Sequence, residues 1–279
     1  MEISALEKVA SQVRRDILRM VHAVNSGHPG GSLGCTDYVT ALYFELMQHQ
    51  PKFQMDGVNE DVFFLSNGHI SPLIYSVLAR SGYFEIKELG TFRKLNTRLQ
   101  GHPTTHEHLP GIRIASGSLG QGLSVACGAA YTKRMNNDSR WVFSLHGDGE
   151  LQEGQIWEAT QFAAHHKLDN LISAVDWNMQ QIDGPTEKVM ANGDLEAKFT
   201  AFGWECFHLN GNSMKEIVET VAKAKASRGN GKPKMLLMKT AMGFGVDFMM
   251  NDHQWHGVAP NDNQLTAALN QLPETLGDY

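Results

Sequence analysis

The tetrapeptide Gly147-Asp148-Gly149-Glu150 and the dipeptide Trp177-Asn178 are the residues whose types and spacing best suit chemistry in this chain. The apolar runs 141–146 and 170–176 that precede them read as short buried strands, and 153–167 between has a helical pattern. Asp148 and Asn178, 30 positions apart (178 − 148), then stand at the tips of successive parallel strands, where open α/β sheets bind ligands. A carboxylate and an amide oxygen are hard donors that suit Mg²⁺, with Ca²⁺ or Mn²⁺ as substitutes. So sparse a donor set suffices when a diphosphate supplies further oxygens to the ion. Gly147 and Gly149 let the backbone approach that diphosphate with no Cβ between them. Alone, Gly-Asp-Gly is more often a turn capped by its aspartate, and the asparagine at this spacing after a strand is what adds specificity.

Holding two strand tips side by side requires a sheet wound on both faces. Residues 3–24 put Leu6, Val9, Val13, Ile17, Met20, Val21 and Val24 on one helical face, and 25–31 reads as the loop that ends it. Segments 36–47, 72–81, 119–135, 214–226 and 263–272 also read as helices, and 61–65, 204–209 and 234–239 as strands. This alternation predicts an α/β fold with a doubly wound, mostly parallel sheet flanked by helices. The polar stretches 97–111 and 179–193 are long for connections in a compact domain, which marks them as functional. Segment 228–233 reads as a surface turn.

With 279 residues, 42% hydrophobic and 19% charged, the chain can bury a large core, and 1–279 reads as a single domain. A net charge of −6 without any basic stripe argues against nucleic acid or an anionic membrane surface as the main partner. The first residues lack a signal pattern and no apolar run is long enough to span a bilayer, so the expected location is the cytoplasm. Cys35, Cys127 and Cys206 are odd in number and widely spaced, which fits reduced thiols better than disulfides or a zinc site.

Six motifs in order resemble transketolase: Asn25-Ser26-Gly27-His28-Pro29-Gly30, Ser66-Asn67-Gly68-His69, Gly101-His102-Pro103, Gly117-Ser118-Leu119-Gly120-Gln121-Gly122, the stretch from Gly147 to Gly154, and Trp255-His256-Gly257. The resemblance runs from about Leu6 to about Pro260 and covers the amino-terminal, cofactor-diphosphate half of the family's usual chain. It implies the thiamine diphosphate-binding fold, thiamine diphosphate with Mg²⁺, and transfer of a two-carbon ketol unit from a ketose to an aldose.

Residue by residue, the resemblance implies that Asp148, Asn178 and the main-chain carbonyl of Gln180 hold the metal. Gly117 and Leu119 match backbone contacts to the aminopyrimidine, Gly149 a contact to the diphosphate, and Ile182 an apolar wall beside the thiazolium. His28, His69, His102 and His256 match the cluster around the thiazolium and the substrate oxygens, with His69 and His256 also among the cofactor contacts. Imidazoles suit a site where negative charge develops on oxygen and hydroxyl protons move near neutral pH. Singly, each is more often a structural or surface histidine; His146 keeps that reading, and His253 shares the candidacy of His256. Glu153 matches the acidic residue that couples the two cofactor sites of the family's dimer, and reads equally well as a helix-start glutamate favourably placed on the dipole.

The family takes the carboxylate that faces the aminopyrimidine, and its substrate-phosphate arginines, from a second domain on the carboxyl-terminal side. After Pro260 this sequence has only residues 261–279. The resemblance therefore implies the amino-terminal subunit of a split transketolase. Its expected partner is a separate C-terminal transketolase subunit carrying the pyrimidine-binding domain, in a heterotetramer of two plus two. Three alternatives stay open, namely 1-deoxyxylulose 5-phosphate synthase-like and 2-oxo-acid dehydrogenase-like subunits, and a non-catalytic assembly subunit. The sugar substrates are open between phosphorylated, unphosphorylated and sulfonated.

Overall fold

A computed structural model describes residues 1–279. Its strands are β1 (Val62–Leu65), β2 (Val142–Gly147), β3 (Leu171–Trp177), the two-residue pair β4 (Gln180–Gln181) and β5 (Gly184–Pro185), β6 (Glu205–Asn210) and β7 (Lys234–Lys239). Five of them form a sheet in the order β1-β2-β3-β7-β6, with every neighbouring pair parallel. Strand residues alternate between two cores, as a sheet covered on both faces requires. Phe63, Leu65, Phe143, Leu145, Ile172, Ala174, Leu236 and Met238 face one core; Val62, Phe64, Val142, Leu171, Val175, Met235 and Leu237 face the other.

The helices are α1 (Ile3–Ala23), α2 (Pro29–Gly34), α3 (Thr36–Ala41), α4 (Ser71–Arg80), α5 (Gln121–Met135), α6 (Gly154–His165), α7 (Thr186–Val189), α8 (Leu195–Ala201), α9 (Met214–Ala226) and α10 (Asp262–Gln271). Helices α1 to α4, α9 and α10 close the larger core of 47 buried residues, and α5, α6 and α8 close the smaller one of 19. The expected doubly wound architecture is therefore present. None of the helices is long and apolar enough to cross a membrane.

Local differences from the sequence reading have local causes. The expected loop 25–31 runs directly into α2, which Pro29 opens with its fixed φ at the first helical position. The expected helix 36–47 is α3 followed by a π-helical turn, Leu42–Leu46. Helix α5 starts at Gln121 instead of 119 because Gly120 is left-handed, with φ 83°. Helix α8 went unpredicted, although Asp194 caps it by accepting from the Ala197 N–H at 2.9 Å. The loop 97–111 is irregular apart from a short turn at Thr105–Glu107, and 179–193 holds β4, β5 and α7. The carboxyl ends of β1, β2, β3 and β7 share one edge of the sheet, and the loops leaving them carry Ser66 to His69, Asp148 to Glu150, Asn178 to Ile182, and Thr240 to Met242.

Candidate active site

At that edge lies a cavity of about 310 Å³ lined by His28, His69, Leu119, Gly147 to Glu150, Gln152, Glu153, Asp176, Asn178, Gln180 to Ile182, Met242 and His256. Its floor is a pair of buried carboxylates. Asp148 is 2% exposed, and its two oxygens accept from the Gly149 N–H at 2.8 Å and the Met179 N–H at 2.7 Å. Burial, then the charge of Asp176, push the Asp148 carboxyl up to about 7 despite these bonds. Asp176 is itself raised, by burial, while Thr240 and the Asn178 amide donate to it.

Asn178 is oriented by both ends of its amide. Its Nδ2 donates to Asp176 at 2.8 Å, and its Oδ1 accepts from the Gln180 N–H at 2.8 Å, which leaves that oxygen one more lone pair. No group of three or more His, Cys, Asp or Glu side chains is arranged to hold a metal ion. A cation here would rest on one carboxylate plus amide and carbonyl oxygens, the hard and sparse set that Mg²⁺ accepts beside a diphosphate. Gly147 lines the cavity with nothing within 4 Å of where a Cβ would lie, so the backbone is open to a ligand. Gly149 lies under Gln181, whose Cδ is 3.1 Å from its notional Cβ. A buried acid pair seeking counter-charge, with bare backbone beside it, fits a metal diphosphate.

The four loop histidines converge. Ring centroids lie 5.2 Å apart for His28 and His69, 5.6 Å for His28 and His256, 5.0 Å for His69 and His256, and 6.2 Å for His28 and His102. His102 is exposed and is not among the cavity residues, and its ring fills the space over Gly117: a Cβ there would meet it at 2.5 Å, and Gly117 has φ +114°. Burial, then the charges of His256, Arg93 and His102, lower His28 to about 4. Burial lowers His69, His102 and His256 too. All four are thus neutral near pH 7, each with one donor and one acceptor nitrogen.

The remaining expected residues divide. Leu119, Gln180 and Ile182 line the cavity, and Ile182 is 63% exposed at its mouth. Glu153 also lines it and is the N-cap residue of α6, but its side chain makes no capping bond. His253 pairs with Asp252 at 3.8 Å on the surface and is not among the cavity residues. His146 is fully buried beneath the site and bonded to Ser144, a structural place. Cys35, Cys127 and Cys206 are free thiols. The sequence reading gave no role to Asp176 or Glu150, both in the cavity. A charge ending an otherwise apolar strand was the available signal for Asp176, and Glu150 had no local signal of its own.

The transketolase thiamine diphosphate binding domain family matches residues 6–274. The chain belongs to that transketolase family. It is 38% identical over 267 residues to the 6-deoxy-6-sulfo-D-fructose transketolase subunit SqwG of Clostridium sp. (strain MSTE9), covering 96% of each chain. To an apulose-4-phosphate transketolase subunit of Phocaeicola vulgatus it is 34% identical over 276 residues, 99% of this chain and 96% of that one. The transketolase of Campylobacter jejuni superposes with a TM-score of 0.90 at 35% identity, covering 98% of this chain but 43% of that one. This transketolase domain thus spans less than half of the full-length enzyme and nearly all of the two subunits.

Proposed function

We propose that this chain is the amino-terminal subunit of a split transketolase, binding thiamine diphosphate and Mg²⁺ and moving a two-carbon ketol unit from a ketose to an aldose with a separate C-terminal subunit. The observation that carries the reading is the paired buried carboxylates Asp148 and Asp176 in a cavity also lined by His28, His69 and His256, in a chain that covers nearly all of the subunits it resembles. Asp148, Asn178 and the Gln180 carbonyl would hold the metal, with Gly149, His69 and His256 toward the diphosphate and thiazolium, Gly117 and Leu119 toward the pyrimidine, and Ile182 as the apolar wall. Thiamine diphosphate, when bound, supplies an electron sink for the carbon–carbon bond that is broken and remade.

The chain's own residues do the rest. Neutral imidazoles at His28, His69, His102 and His256 donate hydrogen bonds to sugar oxygens as negative charge grows there, and accept their hydroxyl protons near neutral pH. Glu153, at the cavity's edge, would couple this site to its copy across a two-fold axis. The outer faces of α5 and α6 expose Val125, Tyr131, Met135 and Phe162, which supports self-association into a two-plus-two assembly. Residues 1–279 act as one domain, and three free thiols support a cytoplasmic location. The relatives' names support sugars that carry a phosphate or a sulfonate.

The test is an assay of the purified chain with and without its candidate partner, using a ketose donor and an aldose acceptor. Ketol transfer is expected only on mixing. Full activity from the chain alone would overturn the split-subunit reading.

A further inference from the structure

Glu150 closes the first motif, on the 3₁₀ turn Gly149–Gln152, and is 2% exposed. Its Oε1 accepts from the Ser66 hydroxyl and from the Gly120 N–H at 2.9 Å, while its Oε2 accepts from the Gly147 N–H at 3.1 Å. Ser66 Oγ in turn accepts from the Gly122 N–H at 3.0 Å. Nδ1 of the fully buried His146 lies 3.6 Å from Oε1, and behind it run bonds of 2.9 Å from His146 to Ser144 and 2.7 Å from Ser144 to Ser173. The loops around this carboxylate touch with no room between them. A Cβ on Gly122 would strike Ser66 at 2.4 Å, and one on Gly68 would come within 2.6 Å of the Gly117 nitrogen.

Three loops therefore end on one side chain. The first carries His69, the second Leu119 and the third Asp148, which line different parts of the cavity. We infer that Glu150 is a positioning residue that locks these three loops to one another, so that the histidine, pyrimidine and metal parts of the site are set as a unit. This deepens the function proposed above and rests on it only for the ligand's identity. A carboxylate is required because both oxygens face donors. An amide would turn its NH₂ onto either the Gly147 N–H or the Ser66 and Gly120 pair, and an aspartate is one methylene short.

The experiment compares the full chain with Glu150→Gln, Ser66→Ala and the double variant. Hydrogen exchange in the ligand-free chain should lose protection at Gly120, Gly122 and Gly147 together in Glu150→Gln, while β3 and β7 keep theirs. This arm needs no cofactor, so its outcome is independent of the proposed activity. Calorimetric titration with thiamine diphosphate and Mg²⁺ should read an affinity about tenfold to a hundredfold weaker, the range for a lost charged hydrogen bond. Adding Ser66→Ala to Glu150→Gln should weaken binding little further, since both act through one carboxylate. Loss of protection at Gly147 alone, or unchanged exchange and affinity, would overturn the inference. So would fully additive losses in the double variant. Should Glu150→Gln fail to fold, Ser66→Ala decides alone: exchange must rise at Gly120 as well as Gly122, and a change confined to Gly122 refutes it.

Discussion

The hollow beside α5, about 380 Å³, is larger than the cavity of about 310 Å³ at the carboxyl edge of the sheet, and the two are built on opposite terms. In the outer hollow the buried cation Lys133 donates to the Gly57 and Glu60 carbonyls at 2.8 and 2.9 Å and to Asp138 at 2.8 Å. Burial pushes the Asp138 carboxyl up, but the Lys133 ammonium and nearby backbone N–H groups bring it below the usual range. At the sheet edge, Asp148 has only two N–H donors and another carboxylate for a neighbour, and it rises to about 7. Size does not mark the site here; unbalanced buried charge does.

The sharpest way to break this contrast is Asp148→Ala. Removing the proposed metal ligand from the floor should abolish retention of thiamine diphosphate and Mg²⁺, with no heat of binding in calorimetry. Unchanged affinity would remove Asp148 from the metal site. Next in size is His102→Ala, which leaves the floor intact. Ketol transfer in the assembled enzyme should fall on the order of 10²-fold or more, the usual weight of a proton-transferring group, while cofactor affinity hardly moves. A parallel loss of both would reassign His102 to cofactor binding.

A smaller effect lies in pH. His28 titrates at about 4 when folded against 6.5 in the open chain, so between these values the unfolded state binds more protons. Stability should therefore rise with pH from about 4 to about 6.5 and level off above that. His28→Gln removes this contribution, and its melting temperature should drop less than the parent's between about pH 7 and about pH 4.5. An equal drop in both would mean that His28 is not buried in its neutral form. The smallest effect belongs to the outer hollow. Asn136→Ser should change stability by no more than about 0.5 kcal/mol in chemical denaturation and leave cofactor affinity as it was. Weakened cofactor binding would join the two hollows and end the contrast.

The sheet was legible because burial on both faces leaves short apolar runs, and all five of its strands lie where those runs are. The convergence of His28, His69, His102 and His256 was legible only through motif resemblance, since no periodicity relates positions spread over four loops. Glu150 escaped because its partners, Ser66, Gly120 and Gly147, come from three separate loops. Nothing local distinguishes such a carboxylate from a solvated one. Helix α8 escaped for a different reason. Its seven residues bury only Leu195 and Phe199, too few for a 3.6-residue period to stand out, although the Asp194 cap was there to be read.

Strand β7 is the last to be made, yet it lies between β3 and β6. While the chain leaves the ribosome, β3 offers an open edge and β6 has no neighbour until residues 234–239 emerge, so the sheet cannot close during most of synthesis. The pairings that finish it join segments far apart in sequence, which makes folding slow and leaves apolar strand edges exposed to other nascent chains. Yield on expression should thus depend on chaperone supply and temperature more than on the stability of the finished fold. A ribosome stalled before residue 234 would hold out a template for aggregation.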